Sequence, residues 1–295
     1  MSLLSVIQTI LPVFLIVAFG YLYGRWRPTD IETANRLNMD IFTPALIFSA
    51  LSEKGFQLAS YQALTLAACL VVLGSGLLVW PLVRPLKVSW RAFLPPMMFT
   101  NSGNMGIPIL LLAFGEEALA AAIVLFLVEN TLHFTVGMYM VNHRASILSL
   151  VRTPMILASI LGITVSLMSI PVPTTLAVPI DMLGQIAIPL MLFTLGIRMV
   201  NADLGDWKLG LWSGLLAPAS GLIMALLVTQ WIELSAQQFA YLMVFAALPP
   251  AVLNYMVAEK YNVEPRRVAS IVFIANIMSV FSLTLVLAWV QSYLN

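Results

Sequence analysis

Ten stretches of about 20 mostly apolar residues, joined by short polar links, constrain this chain more than any other feature. They run roughly 3–24, 33–51, 60–82, 92–113, 117–141, 154–171, 177–199, 209–231, 238–258 and 267–291. Helical segments of that length match the thickness of a bilayer's hydrocarbon, where every backbone polar group must be satisfied internally. The pattern predicts an all-α integral membrane protein of ten transmembrane helices. Composition agrees, with 61% of the 295 residues hydrophobic and 9% charged, against about 25% charged in a soluble domain. A net charge of +1 gives no clustered basic face, so nucleic acid is not a partner; the lipid bilayer is. The single cysteine, Cys69, permits no internal disulfide. No basic n-region precedes the first stretch, which therefore reads as a retained span rather than a cleaved signal.

The cations orient the chain. The odd-numbered links and adjoining span ends carry Arg25, Arg27 and Arg36; Arg84, Lys87 and Arg91; Arg144 and Arg152; Arg198 and Lys208; and Lys260, Arg266 and Arg267. The even-numbered links carry only Lys54. Cytoplasmic loops collect Lys and Arg, so the odd links are expected in the cytoplasm and both termini on the periplasmic side of an inner membrane.

Two of the ten stretches cannot be continuous helices. The fourth contains Thr100-Asn101-Ser102-Gly103-Asn104-Met105-Gly106-Ile107-Pro108, and the ninth contains Leu248-Pro249-Pro250-Ala251-Val252-Leu253-Asn254-Tyr255. Proline lacks a backbone donor and clashes with the carbonyl one turn earlier. Broken spans at corresponding places in two halves are the sequence mark of a transporter binding site. The halves, residues 1–145 and 146–295, also match weakly elsewhere: Pro44-Ala45-Leu46-Ile47-Phe48-Ser49 resembles Pro189-Leu190-Met191-Leu192-Phe193-Thr194. Five spans per half is odd, so the halves enter the membrane in opposite senses, as an inverted repeat.

The polar residues at the breaks define the candidate site. Half-helix N-termini present unpaired N–H groups and positive dipole ends, which favour an anion. Asn101, Ser102, Asn104 and Asn254 add neutral donors, and no fixed cation lies in either break. The alternative is that these side chains only satisfy carbonyls freed by the prolines. In the fifth span, Glu129, Asn130 and His133 form a second group, with Glu129 and His133 one turn apart on one face. Two readings stay open for them: a proton or cation site that couples transport, or an interhelical hydrogen-bond pair. Asn276, close to the repeat partner of Asn130, reads either as a coupling residue or as glue between helices. Asp40 and Asp181 read as caps or interfacial groups rather than cavity residues. Two histidines in the whole chain make a zinc site poor, and no cofactor or metal is implied.

The motifs Asn-Ser-Gly-Asn-Met-Gly-Ile-Pro and Leu-Pro-Pro-Ala-Val-Leu-Asn-Tyr-Met-Val-Ala-Glu-Lys-Tyr-Asn resemble the auxin efflux carrier family, which includes plant auxin carriers and bacterial permeases for malate, malonate and similar acids. The resemblance covers the whole chain, at a length typical of bacterial members. It implies a fold like that of bile-acid/sodium symporters and sodium/proton antiporters. Spans one, two, six and seven would form a scaffold, and three to five with eight to ten a moving core. It further implies an anion site at Asn104, Pro108, Pro249 and Asn254, extended here to Asn101, Ser102 and Pro250, and a homodimer through the scaffold. No match to the sodium-ligand acids of the bile-acid relatives is present near the second break.

The function expected is secondary transport of small organic anions, with the core sliding against the scaffold. Two rivals are weaker. An intramembrane enzyme would need a Ser–His pair, a metal cluster or a Gly-x-Ser-x-Gly elbow, and the spans offer none of them. A receptor that binds without turnover would call for a signalling domain, which no link is large enough to hold.

Overall fold

The computed structural model describes residues 3–52, 58–142, 153–200 and 204–294. Lys54, Arg144 and Arg152 of the sequence reading, and the second histidine, His143, lie outside the described residues. Helix occupies all ten apolar stretches. Helix α1 (Leu3–Trp26) fills the first. The second is α2 (Ile31–Leu37), a π turn (Asn38–Phe42) and α3 (Thr43–Ser52), run end to end. Helix α4 (Gln62–Val79) fills the third. The fourth is divided into α5 (Trp90–Met98), a π turn (Ser102–Gly106) and α6 (Ile107–Phe114). The fifth comprises α7 (Leu119–Leu132), a third π turn (His133–Gly137) and α8 (Met138–Val141). Helices α9 (Pro154–Leu167), α10 (Thr174–Met199) and α11 (Trp207–Val228) follow. The ninth stretch divides into α12 (Ala236–Ala246) and α13 (Val252–Lys260), and α14 (Pro265–Leu294) completes the described chain.

Among the described residues, five helical runs are long and apolar enough by themselves to cross a membrane: Ala59–Leu82, Glu116–Val141, Thr174–Met199, Trp207–Val228 and Pro265–Leu294. The other apolar helices are shorter. Among the described residues there is no strand, and the protein is an all-helical, multi-pass membrane protein.

The helices pack in two groups. In one, α1 lies along α10, while α3 packs against both α9 and α10. In the other, α4 contacts α5, α7 and α11, and α14 contacts α11, α12 and α13. Lipid supplies no hydrophobic drive between helices, so close backbone approach and shape must hold them together. Gly20 and Gly196 do this for α1 and α10. A Cβ at Gly20 would sit 2.0 Å from the Phe193 carbonyl oxygen, and one at Gly196 would sit 1.9 Å from that of Val17. The second group buries the large side chains Phe93, Phe99, Phe245 and Phe273 around the two breaks. The groups differ in exposure: 22% of the apolar window of α10 is buried, against 56% for α14.

Side-chain ties gather the links at two ends. Arg267 pairs with Asp206 (3.2 Å) and Glu264 (3.0 Å) and donates to the Lys87 carbonyl (2.7 Å), while the Ser89 N–H donates to Glu264. These contacts join the third, seventh and ninth links. The Gln238 amide donates to the Ser60 carbonyl at 2.6 Å, joining the second and eighth links at the other end of α4.

Candidate functional site

The two breaks cross and bond to each other. Helix α5 ends at Met98, Phe99 turns extended, and Thr100 forms an antiparallel bridge with Pro250. The Asn101 N–H donates to the Pro249 carbonyl (2.7 Å), and the Ala251 N–H donates to the Phe99 carbonyl (2.9 Å). Carbonyls released by the proline breaks are therefore taken up inside the protein, as hydrocarbon requires.

Three asparagines complete that exchange. The Asn254 amide donates to the carbonyls of Phe99 (2.9 Å) and Ala251 (3.0 Å). The Asn276 amide donates to those of Pro250 (2.9 Å) and Val272 (2.8 Å), and its oxygen accepts from the Asn101 amide (3.0 Å). All three side chains are buried, and both amide hydrogens of Asn254 and Asn276 and one of Asn101 bond within the protein. Pro108 opens α6 at its N-terminus, where a missing donor costs nothing. Ser102 donates to Glu129 Oε2 at 2.7 Å, tying the first break to α7.

A cavity of about 290 Å³ lies against this crossing. Of the residues singled out from sequence, Asn101, Asn104, Glu129, Asn130 and His133 line it. Ser102, Pro108, Pro249, Pro250, Asn254 and Asn276 are not among its lining residues; they build the crossing behind it. Each of the three π turns contributes to the wall: Asn38 and Met39, Gly103 and Asn104, His133 and Phe134. Such turns widen a helix locally and recur at functional sites.

The wall holds unspent hydrogen-bonding capacity. Asn130 Nδ2, Glu129 Oε1, Thr100 Oγ1, Asn35 Nδ2 and Asn38 Oδ1 are buried atoms without a hydrogen-bond partner. Glu129 Oε1 lies 3.4 Å from His133 Nδ1, an ion-pair contact too long for a good hydrogen bond. The His133 ring stacks on Phe99, with centroids 4.4 Å apart and planes 10° from parallel. Helix α13 starts at the cavity, with Val252 and Leu253 in its wall and no side-chain cap at Ala251, so the N–H groups of Val252 and Leu253 have no intrahelical partner, while that of Asn254 donates to the Ala251 carbonyl (3.1 Å). The arrangement can bind a negative group through backbone and amide donors without a fixed cation at the crossing.

Sequence reasoning missed several lining groups. Asn35 and Asn38 lie in the second span, next to a π turn that residue types do not announce. Arg198 was counted with the seventh link and its span ends, which fits its place in the last turn of α10, but its position in the cavity wall was not foreseen. Asp40 and Asp181 are exposed, and Asp181 bridges α10 to α3 by accepting from Gln185 (2.8 Å) and Ser49 (3.3 Å). At the start of α2, Asp30 caps the helix; bonds from the Thr33 hydroxyl and N–H hold its carboxyl below the usual range. Among the described residues no cluster of three His, Cys, Asp or Glu could hold a metal.

Comparison with known proteins covers the full length. A family described as "Membrane transport protein" matches residues 5–150 and 138–287. A Rhizobium meliloti (strain 1021) protein, provisionally named a malonate transporter, is 25% identical over 96% of this chain and 95% of its own. An uncharacterised transporter from Methanothermobacter thermautotrophicus is 26% identical over 94% and 96%, and one from Methanocaldococcus jannaschii is 22% identical over 99% of each. With matches spanning both halves and a crossing of the two broken spans at their centre, the chain belongs to the membrane transport protein family, that of the auxin efflux carriers.

Proposed function

We propose that this protein is a secondary transporter that moves small organic anions across the inner membrane. The substrates are mono- or dicarboxylates such as malate, malonate or auxin-like acids. The observation that carries this reading is the cavity at the crossing, where unpartnered buried donors and the uncapped start of α13 converge. Anions are stabilised at such helix starts. The family and the names of the relatives point to a transporter rather than an enzyme, and one relative is named for malonate.

In this reading the chain crosses the membrane ten times as two inverted five-helix repeats. The antiparallel pairing of Thr100 with Pro250 supports it, because inverted halves bring their broken spans together head to tail. The two packing groups support a scaffold of α1–α3, α9 and α10 and a transport core of the remainder, moving as an elevator. The exposed apolar flank of α10 supports homodimer contact through the scaffold. The ties through Arg267 support a common cytoplasmic side for odd links, leaving both termini periplasmic. Asn35, Arg198 and Met256 lie on the odd-link half of their helices, so the cavity faces the cytoplasm.

Thermal stability of the purified protein against carboxylates, amino acids and neutral solutes, with and without sodium and at two pH values, tests the reading. A ligand of the folded state raises apparent stability by mass action. Stabilisation by a carboxylate that disappears in Asn104→Ala supports the site. Stabilisation by neutral solutes alone overturns the anion assignment.

A further inference from the structure

Besides the crossing, the cavity has a second polar wall, formed by helices of the other packing group. Arg198, in the last turn of α10, lines it together with Asn35 of α2 and Asn38 of the adjoining π turn. Helix α2 packs on α10, which brings these residues together. Asn35 Nδ2 and Asn38 Oδ1 have no hydrogen-bond partner. The ion pairs among the described residues are His133–Glu129, Arg267–Asp206 and Arg267–Glu264, and none includes Arg198. The acid that acts on Arg198 electrostatically is Glu259, whose Oε1 already accepts the Tyr255 hydroxyl at 2.7 Å.

A guanidinium facing a partly dry cavity favours a planar anion that it can bind through two parallel hydrogen bonds. The crossing satisfies one carboxylate with neutral donors. A second carboxylate on the same ligand would carry its full desolvation cost unless a cation met it. We propose that Arg198, assisted by the Asn35 amide, is a second anion subsite that makes the cavity selective for dicarboxylates over monocarboxylates. Asn38 Oδ1 is an acceptor and does not touch the anion. A ligand held at both ends bridges the two packing groups, whereas a monocarboxylate engages the crossing alone.

The proposal rests on the anion reading of the crossing, and the experiment separates the two. Succinate and butyrate, which have the same number of carbons, are titrated against the purified full-length protein, and their dissociation constants are taken from the shift in thermal stability. The wild type is expected to bind succinate at least tenfold more tightly than butyrate. Arg198→Gln should abolish that preference while leaving butyrate affinity unchanged, Arg198→Lys should restore part of it, and Asn35→Ala should reduce it by a smaller factor. The subsite is overturned, with the crossing intact, if both acids bind, both are lost in Asn104→Ala, and the preference survives Arg198→Gln. It is also overturned if Arg198→Gln and Arg198→Lys weaken both acids equally, which would make Arg198 a structural partner of Glu259. If neither acid stabilises the wild type, the anion reading itself fails and the subsite with it.

Discussion

The helical run Glu116–Val141 and helix α14 each follow a broken span, and each brings an asparagine to the crossing. On α14, Asn276 donates both its amide hydrogens to carbonyls and accepts from Asn101. On the other run, Asn130 lines the cavity and its Nδ2 is buried with no hydrogen-bond partner, beside a Glu129 oxygen that also lacks a hydrogen-bond donor. The two asparagines occupy nearly equivalent places in the proposed repeat, and both are buried, at 6% and 4% exposure. What separates them is the bonding capacity left over. A polar residue in a membrane helix is structural when the protein consumes its donors and acceptors, and available to a ligand when it does not.

That contrast predicts a ranked series. Asn276→Ala should have the largest effect, because it strands the Pro250 carbonyl and the Asn101 amide in a buried site. At about 1–3 kcal/mol for each orphaned group, the loss is several kcal/mol, read as a lower unfolding midpoint in detergent. A midpoint no lower than that of Asn130→Ala would break the comparison. Asn130→Ala itself should lower the midpoint far less, because its Nδ2 has no hydrogen bond in the protein to lose, while uptake in proteoliposomes falls by about tenfold, as the loss of a single ligand hydrogen bond of about 1.4 kcal/mol implies. Full uptake in that variant would remove Asn130 from the site. Glu129→Gln should have the smallest effect on folding, since a neutral carbonyl still accepts from Ser102. Its signature is uptake, which should fall while folding holds; undiminished uptake would return Glu129 to holding the first break in place.

Much of this was legible from residue types and spacing. The apolar stretches gave the helices to within a few residues, because twenty apolar residues in a row have few alternatives to a spanning helix. Pro249, Pro250 and the Gly103–Gly106 segment announced the breaks, since proline's missing donor is a local property. The division of labour among asparagines was hidden. Nothing in the letters says that Asn254 and Asn276 bond the carbonyls of Phe99 and Pro250 while Asn104 and Asn130 turn to the cavity. Those partners come from remote parts of the chain. The place of Arg198 in the cavity wall was hidden for a related reason: one turn of helix decides whether a cation near a span end lines a cavity. The π turns left no trace either, as an extra residue in a turn changes geometry without changing composition.

The pairing of Thr100 with Pro250 joins positions 150 residues apart, with a consequence for how the protein is made. A nascent chain that has delivered the fourth span but not the ninth has no partner for the Phe99 carbonyl or the Asn101 N–H. Lipid offers neither group a substitute. The fourth span therefore cannot settle in hydrocarbon on emergence; it must stay in a wet environment, within the insertion machinery or at the membrane surface, until the ninth arrives. Biogenesis of the site is necessarily a late event, and a chain stopped before residue 250 should leave a cysteine put in place of Ser102 accessible to water-borne thiol reagents that this buried position excludes in the finished protein.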